Sequence, residues 1–110
     1  MGDQPQATDG DQRDGLVVVD ATDRSRYELR RGDDLLGTAT YHWDGGRIVI
    51  DHTVVDRGRR ERGLGSTLAR GALDDVRGRG LRLVAECPFI AAFVRDHPGY
   101  RDLLDESQDT

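Results

Sequence analysis

The spacing of apolar residues changes near residue 63, and that change limits the folds open to this chain. Before residue 63, apolar and polar residues alternate in short runs, which is typical of half-buried strands. After it, apolar residues recur every three or four positions, which is typical of one buried helix face. The helical stripe consists of Leu64, Leu68, Ala69, Ala72, Leu73 and Val76.

The first half of the sequence predicts an antiparallel meander of three or four strands. A turn at residues 31–34 and an Asp44-Gly45 hairpin signal separate successive strands. Residues 16–19 form a short β-prone run that would suit an edge strand. The alternation predicts one face made of Leu35, Gly37, Ala39 and Tyr41 on one strand, and of Ile48, Ile50, His52 and Val54 on the next.

The second half predicts two helices separated by one strand. The helix of residues 63–77 ends at Gly78-Arg79-Gly80, and residues 81–85 alternate as a strand does. Pro88 suits the first turn of another helix, because a backbone N–H would be unbonded there. The predicted order is β-β-β-α-β-α. The fold class is therefore α/β or α+β, with a mixed, mainly antiparallel sheet and two main helices.

The chain length of 110 residues suits one small domain with a single core. We expect that domain to span residues 16–104, between disordered acidic tails at residues 1–15 and 105–110. Each tail holds a net charge of −3, which leaves the residues between them nearly neutral. This charge distribution gives no sign of a nucleic-acid surface, so no nucleic-acid partner is expected.

Missing residue types exclude several activities. All sixteen basic residues are Arg, and a chain without Lys has neither Schiff-base chemistry nor a Walker phosphate loop. One cysteine excludes an internal disulfide and a multi-cysteine zinc site, and no metal is expected. No apolar run suits a membrane span or a signal peptide. We therefore expect a cytoplasmic protein with no membrane partner, a monomer or weak dimer.

The segment between the last strand of the meander and the first helix, residues 56–66, holds four arginines and one Glu. Cations at a helix N-terminus are unfavourable, because that end already carries partial positive charge. A bound phosphate would remove the conflict. Gly63 and Gly65 would then let the backbone approach the phosphate closely. The alternative interpretation is a solvated, arginine-rich turn.

The pattern Arg60-x-x-Gly63-x-Gly65, between a strand and a helix, resembles the pyrophosphate-binding loop of the GNAT superfamily of acetyltransferases. The resemblance extends over residues 26–104 and is most specific near the C-terminus. There the chain is similar to the short, single-domain YjdJ-type branch of that family. The strings that carry this likeness are Cys87-Pro88-Phe89-Ile90-Ala91-Ala92-Phe93 and His97-Pro98-x-Tyr100.

The resemblance implies an N-acetyltransferase that binds acetyl-CoA in a cleft where two neighbouring strands part. The pantetheine arm would pair with the strand edge at Val54 and Val55. The thioester end would pack against the helix from Pro88, which includes Phe93, and an unidentified amine would attack the thioester directly. The pyrophosphate would accept hydrogen bonds from the main chain of Arg60, Glu61, Arg62, Gly63, Leu64, Gly65 and Ser66.

Cys87 and His52 are the candidate catalytic residues. Cys87 directly precedes the Pro88 helix, whose N-terminus would stabilise a thiolate beside the thioester. We expect a reactive thiol that acetyl-CoA protects and that is not an obligatory nucleophile. His52 would be a base. The alternative is that Cys87 is a small buried apolar residue and His52 a hydrogen-bonded core histidine.

Three positions differ from the resembled branch, which usually has Glu in place of Val54, often Tyr in place of Phe93, and Glu in place of Gly99. Larger relatives use a tyrosine as general acid, and Phe93 has no hydroxyl for that role. These differences keep open an alternative function: a non-catalytic acyl-CoA-binding or protein-interaction module on the same fold. An RNA or nucleotide binder is disfavoured, because the arginine segment lacks interleaved aromatic residues.

Overall fold

The computed structural model describes residues 15–56 and 63–105 of the chain. Apart from Gly15 and Asp105, the two predicted tails lie outside the described residues. No helix in the described ranges is long and apolar enough to cross a membrane. The elements are β1 (Leu16–Ala21), β2 (Arg26–Arg31), β3 (Asp34–Asp44), β4 (Arg47–Val55), α1 (Leu64–Gly78), β5 (Arg82–Ala85) and α2 (Pro88–Asp96), with 3-10 turns at Thr22–Arg24 and Pro98–Leu103.

The five strands form one mixed sheet in the order β1-β2-β3-β4-β5. The first four are antiparallel neighbours, as the predicted meander requires, and β5 lies parallel to β4 after the α1 crossover. The predicted hairpin after Asp44 is formed by Gly45 and Gly46, whose φ values of 61° and 87° suit a tight two-residue turn. The sheet has one strand more than the predicted order before α1, because residues 16–21 do pair as an edge strand.

Both helices pack on the same face of the sheet and enclose the core. The apolar stripe predicted for α1 is buried throughout. The close approach of α1 to β1 depends on Gly71, where a Cβ atom would lie 2.6 Å from Cβ of Val18. After α2, Leu103 packs back on the core, and Leu104 forms a parallel bridge with Leu83 of β5.

A bulge in β4 reverses which residues face the core, relative to the alternation predicted from the sequence. Asp51 is an extra residue, because Ile50 and His52 pair with consecutive residues of β3. Before the bulge, Ile50 is fully buried, as predicted. After it, His52 is exposed and Val54 is 51% exposed. The prediction that these two residues share the core face is therefore wrong.

A second bulge, in β3, has the same effect on the other predicted face. Leu29 and Arg30 of β2 pair with Gly37 and Leu35, so Leu36 is the extra residue. Leu36 is 1% exposed, whereas Leu35 is 40% exposed. The predicted grouping of Leu35 with Gly37 on the core face is wrong, because the bulge turns Leu35 towards solvent.

Candidate active site

β4 and β5 run side by side over four residues and then part. Ile50 and Ala85 are the last pair, and the backbone N–H groups of Glu86 and Cys87 both donate to the Ile50 carbonyl, at 3.0 Å each. Beyond this point β4 continues along β3 to Val55, whereas the chain after β5 turns into α2. We call this gap the fork; residues 51–55 form one side of it and residues 86–89 the other.

One edge of β4 faces the fork with its backbone groups. The Asp56 N–H donates to the Leu36 carbonyl at 2.8 Å, which places the backbone groups of Asp56 on the β3 side. Because successive residues of a strand point to opposite edges, Val54 also faces β3, and Thr53 and Val55 face the fork. Of the two residues predicted to pair with a pantetheine arm, Val55 presents its N–H and C=O to the fork and Val54 does not.

The N-terminus of α1 has amide groups without a partner inside the helix, and its first turn has no acidic side chain. Its N-cap residue, Gly63, has a φ of 82°, a left-handed conformation that favours glycine. No side chain caps this end, and the first turn contains no acidic residue. The N–H groups of Leu64, Gly65 and Ser66 have no carbonyl acceptor within the helix. The described part of the predicted phosphate loop therefore carries the partial positive charge that an anion favours.

The first turns of α1 and α2 are in contact at the fork. A Cβ atom on Gly65 would lie 3.0 Å from Cζ of Phe89, so the Phe89 ring covers the Gly65 backbone. Gly65 thus has a packing reason to be glycine, in addition to the predicted approach of a ligand. Because α2 starts directly after Cys87, this contact brings both helix N-termini to the fork.

Cys87 lies buried where the two strands part. Its side chain is 4% exposed, and its thiol donates to Oγ1 of Thr53 at 3.3 Å. Thr53 reaches the helix-covered face of the sheet because of the bulge at Asp51. The sequence did not predict a role for Thr53, since simple alternation assigns it to the solvent face. The structure places Cys87 both within the core and at the fork.

His52 lies on the opposite face of the sheet, so the structure does not bring it together with Cys87. Its neighbours there form a hydrogen-bonded group that the sequence did not predict. Thr40 donates to Asp51 at 2.7 Å, and Nδ1 of His42 lies 2.8 Å from the same carboxylate. Burial alone would raise the pKa of Asp51, but the hydrogen bonds from Thr40 and His42 hold it below its usual range. A catalytic role for His52 stays a prediction.

Phe93 packs at the far end of α2 from the fork. Its ring is 5% exposed and stacks on the His97 ring, with centroids 3.9 Å apart. Nδ1 of His97 lies 2.8 Å from the Phe93 carbonyl oxygen, so His97 caps the helix end. Phe93 follows Cys87 by six residues, about 9 Å along the helix axis. A role for Phe93 in binding the thioester end of the cofactor stays a prediction.

The remaining predicted phosphate ligands, Arg60, Glu61 and Arg62, lie outside the described residues. Their role stays a prediction. Over residues 15–56 and 63–105, no three His, Cys, Asp or Glu side chains form a group that could hold a metal ion.

The class that this geometry defines is a mixed α+β domain with a forked sheet, where a free strand edge meets two helix N-termini. Residues 26–103 match the family model described as GCN5-related N-acetyl-transferase. The match covers most of the chain, and the protein belongs to this family.

Two known proteins are similar to parts of this chain. Protein NATD1 of Bos taurus is 41% identical over 59 residues, which are 53% of this chain and 52% of that protein. The chain thus spans about half the length of that relative. A GCN5-like protein of Staphylococcus aureus, solved by NMR in solution, superposes with a TM-score of 0.62 at 22% identity. The superposition covers 83% of this chain and 89% of that one, and it shows the shared fold.

Proposed function

We propose that this chain is an acetyl-CoA-dependent N-acetyltransferase that transfers the acetyl group directly to an amine not yet identified. The observation that carries the proposal is the fork, where the backbone edge at Thr53 and Val55 lies beside two uncapped helix N-termini. Membership of the family supports the activity. We further propose the short YjdJ-type branch, a cytoplasmic location, and a monomer or weak dimer, as the sequence predicts.

The residues at the fork suit the two chemical parts of acetyl-CoA. The pantetheine arm contains amide groups, and the N–H and C=O groups of Thr53 and Val55 are placed to pair with them as a further strand would. The pyrophosphate suits the N-terminus of α1, at the main chain of Gly63, Leu64, Gly65 and Ser66. Arg60, Glu61 and Arg62 precede that helix and would extend the same phosphate site.

Acetyl-CoA, when bound, supplies an acetyl group that is activated as a thioester. The role of the protein is to hold that acetyl group at the fork. The buried side chains around Cys87 would shield it from water. Direct transfer forms the bond between the acetyl carbon and the amine nitrogen and breaks the bond between the acetyl carbon and sulfur. The amine loses one proton, and the sulfur leaves as a thiol with one proton gained. Cys87 already has Thr53 as a partner, and direct transfer requires no acetyl-cysteine. Cys87 is therefore proposed as a neighbour of the acetyl group.

Two observations favour a second candidate, a non-catalytic acyl-CoA-binding module on the same fold. The ring of Phe93 has no hydroxyl group and is held in the core against His97. Val54 presents an apolar side chain to solvent where the resembled branch usually has a carboxylate. Neither position can donate or accept a proton. This module would bind acetyl-CoA at the fork and release no thiol.

The test combines binding with turnover. The protein is mixed with acetyl-CoA and a panel of primary amines, including alkylamines, polyamines and lysine peptides. Thiol release and the mass of each amine are followed, and the enzyme proposal expects an amine that gains one acetyl group together with one free thiol. Binding without turnover for any amine would favour the module, and the absence of acetyl-CoA binding would overturn both candidates.

A pair of proline variants tests the fork directly. Val55→Pro removes one N–H from the edge that faces the fork, so we expect a weaker stabilisation by acetyl-CoA with the sheet retained. Val54→Pro removes an N–H that faces β3, so we expect a lower melting temperature without ligand. Unchanged acetyl-CoA binding in Val55→Pro would show that this edge does not hold the pantetheine arm.

A further inference from the structure

A cavity near the C-terminus lies outside the fork, between α2 and the segment that follows it. Its volume is about 590 Å³, within the range typical of ligand sites. α2 forms one wall, and residues 101–105 form the other. We call this cavity the C-terminal groove. It takes no part in the function proposed above.

Two arginines in the C-terminal groove are unusual in having no partner. In the described ranges, every other arginine has an ion pair, a hydrogen bond or a ring contact, including Arg82 of the same groove. Arg95 and Arg101 have none of these, and both line the groove. Because each guanidinium keeps all of its donors available, the groove offers two sites for bidentate carboxylate binding.

The acidic residues of the groove do not cancel this charge, because each already has an arginine partner outside it. Asp102 accepts two hydrogen bonds from Arg77, at 2.9 and 3.0 Å. Asp105 lies 3.7 Å from a guanidinium nitrogen of Arg47. The charge of the groove is therefore positive. Arg82 contributes to that charge, but its donors are occupied by the carbonyl oxygens of Asp102 and Leu104, whereas Arg95 and Arg101 keep theirs available.

The floor of the C-terminal groove is apolar. Ala91 and Val94 line it from α2, and Leu104 lines it from the chain that follows. An inorganic anion would use the two arginines and leave this floor in contact with water. A ligand that has both carboxylates and an aliphatic side chain would use the whole surface, since it would bury the floor while it pairs with the cations.

We propose that the C-terminal groove binds an acidic peptide segment of a partner protein, one with two or more carboxylates around an aliphatic side chain. The two free guanidinium groups bind the carboxylates, and the apolar floor receives the aliphatic side chain. This inference is independent of the acetyltransferase proposal, because it concerns different residues and a different ligand.

The test measures binding of a fluorescent peptide, Asp-Leu-Glu-Leu-Asp with blocked ends, to the full chain. The control peptide, Asn-Leu-Gln-Leu-Asn, has the same shape without the charges. We expect the acidic peptide to bind roughly tenfold or more tightly than the control, and the difference to shrink as salt is added. Equal binding of the two peptides would overturn the proposal.

Substitutions locate the site. The double variant Arg95→Gln with Arg101→Gln should weaken peptide binding about tenfold or more, while its melting temperature stays close to that of the parent chain. Arg24→Gln, outside the groove, should leave peptide binding unchanged. NMR shifts caused by the peptide should centre on Ala91, Val94 and Leu104. Unchanged binding in the double variant, or shifts elsewhere, would contradict the proposal.

Two competing ligands are distinguished by further arms of the same experiment. Glutarate that displaces the peptide at equal concentration would show a small dicarboxylate site and overturn the peptide assignment. The variant Glu106→Gln with Asp109→Asn removes acidic side chains that follow the groove in sequence. If this variant binds the peptide about tenfold more tightly than the parent chain, the chain's own acidic residues are the ligand of the groove. That result would overturn the partner proposal.

Discussion

At the scale of single residues, Glu28 shows how the uncovered face of the sheet accommodates a buried charge. The residue is 3% exposed, although no helix of the described part packs over it. Arg26 and Arg30 hydrogen-bond its carboxylate at 2.8 and 2.9 Å, and Arg24 lies 3.6 Å away. Burial alone would raise the pKa of Glu28, but the hydrogen bonds from Arg30 and Arg26 hold it below its usual value.

This carboxylate should make stability depend on pH. Because the pKa of Glu28 is lower in the folded state than its ordinary value of 4.5, the contribution is complete above that pH and is lost as pH falls through the folded value. We expect Glu28→Gln to lower the free energy of unfolding by about 1–2 kcal/mol at pH 7. The loss should shrink at low pH. Melting curves from pH 7 to pH 3 measure this, with the exposed Glu86→Gln as control; a constant difference across that range would contradict it.

Cys87 is a second residue for which the structure and the sequence lead to different expectations. The sequence predicts a reactive thiol, but a side chain that is 4% exposed and bonded to Thr53 should react slowly with iodoacetamide until the protein unfolds. Cys87→Ser keeps a hydrogen-bond donor at this position. If transfer is direct, this variant should keep most of the acetyltransferase activity. Thiol release by this variant measures that. Complete loss in Cys87→Ser, together with normal acetyl-CoA binding, would instead indicate an acetylated cysteine.

At the scale of elements, the strands and helices followed from the sequence, whereas the two bulges did not. The apolar spacing of α1 specifies a helix locally, and the turns follow from the φ values that glycine allows. Neither depends on a neighbouring strand. A bulge depends on pairing with the neighbouring strand, which a single strand's pattern does not contain. The bulge at Asp51 therefore moved His52 out of the predicted core face and brought Thr53, which was not predicted, to Cys87.

The start of α1 gives a prediction at this scale. Gly63 has a left-handed backbone, so Gly63→Ala should lower the free energy of unfolding by about 1–2 kcal/mol. Gly78→Ala is the matched control, since its added Cβ would have nothing within 4 Å and its φ is not left-handed. It should be neutral or stabilise by up to about 1 kcal/mol. Chemical denaturation of both variants measures this, and equal stability would contradict the helix start described here.

At the scale of the whole molecule, the order of elements brings one strand edge, two helix N-termini and Cys87 to the fork. The sequence predicted that a cleft forms between parting strands through resemblance to a family, and the fold contains it. Which backbone groups face the cleft could not be predicted, because that depends on the bulge that precedes Thr53 and Val55. The C-terminal groove also has no signature in the sequence, since α2 and the segment after it each contribute one arginine and part of the apolar floor.

Native mass spectrometry of the purified protein with acetyl-CoA measures the binding on which both candidate functions depend. We expect a complex of one chain with one acetyl-CoA. Dephospho-CoA should bind similarly, because the pyrophosphate is the proposed anchor at α1. Val55→Pro should reduce the bound fraction, and the double variant at Arg95 and Arg101 should leave it unchanged. A chain that stays free of ligand at millimolar acetyl-CoA, while it remains folded, would show that the fork is not an acetyl-CoA site.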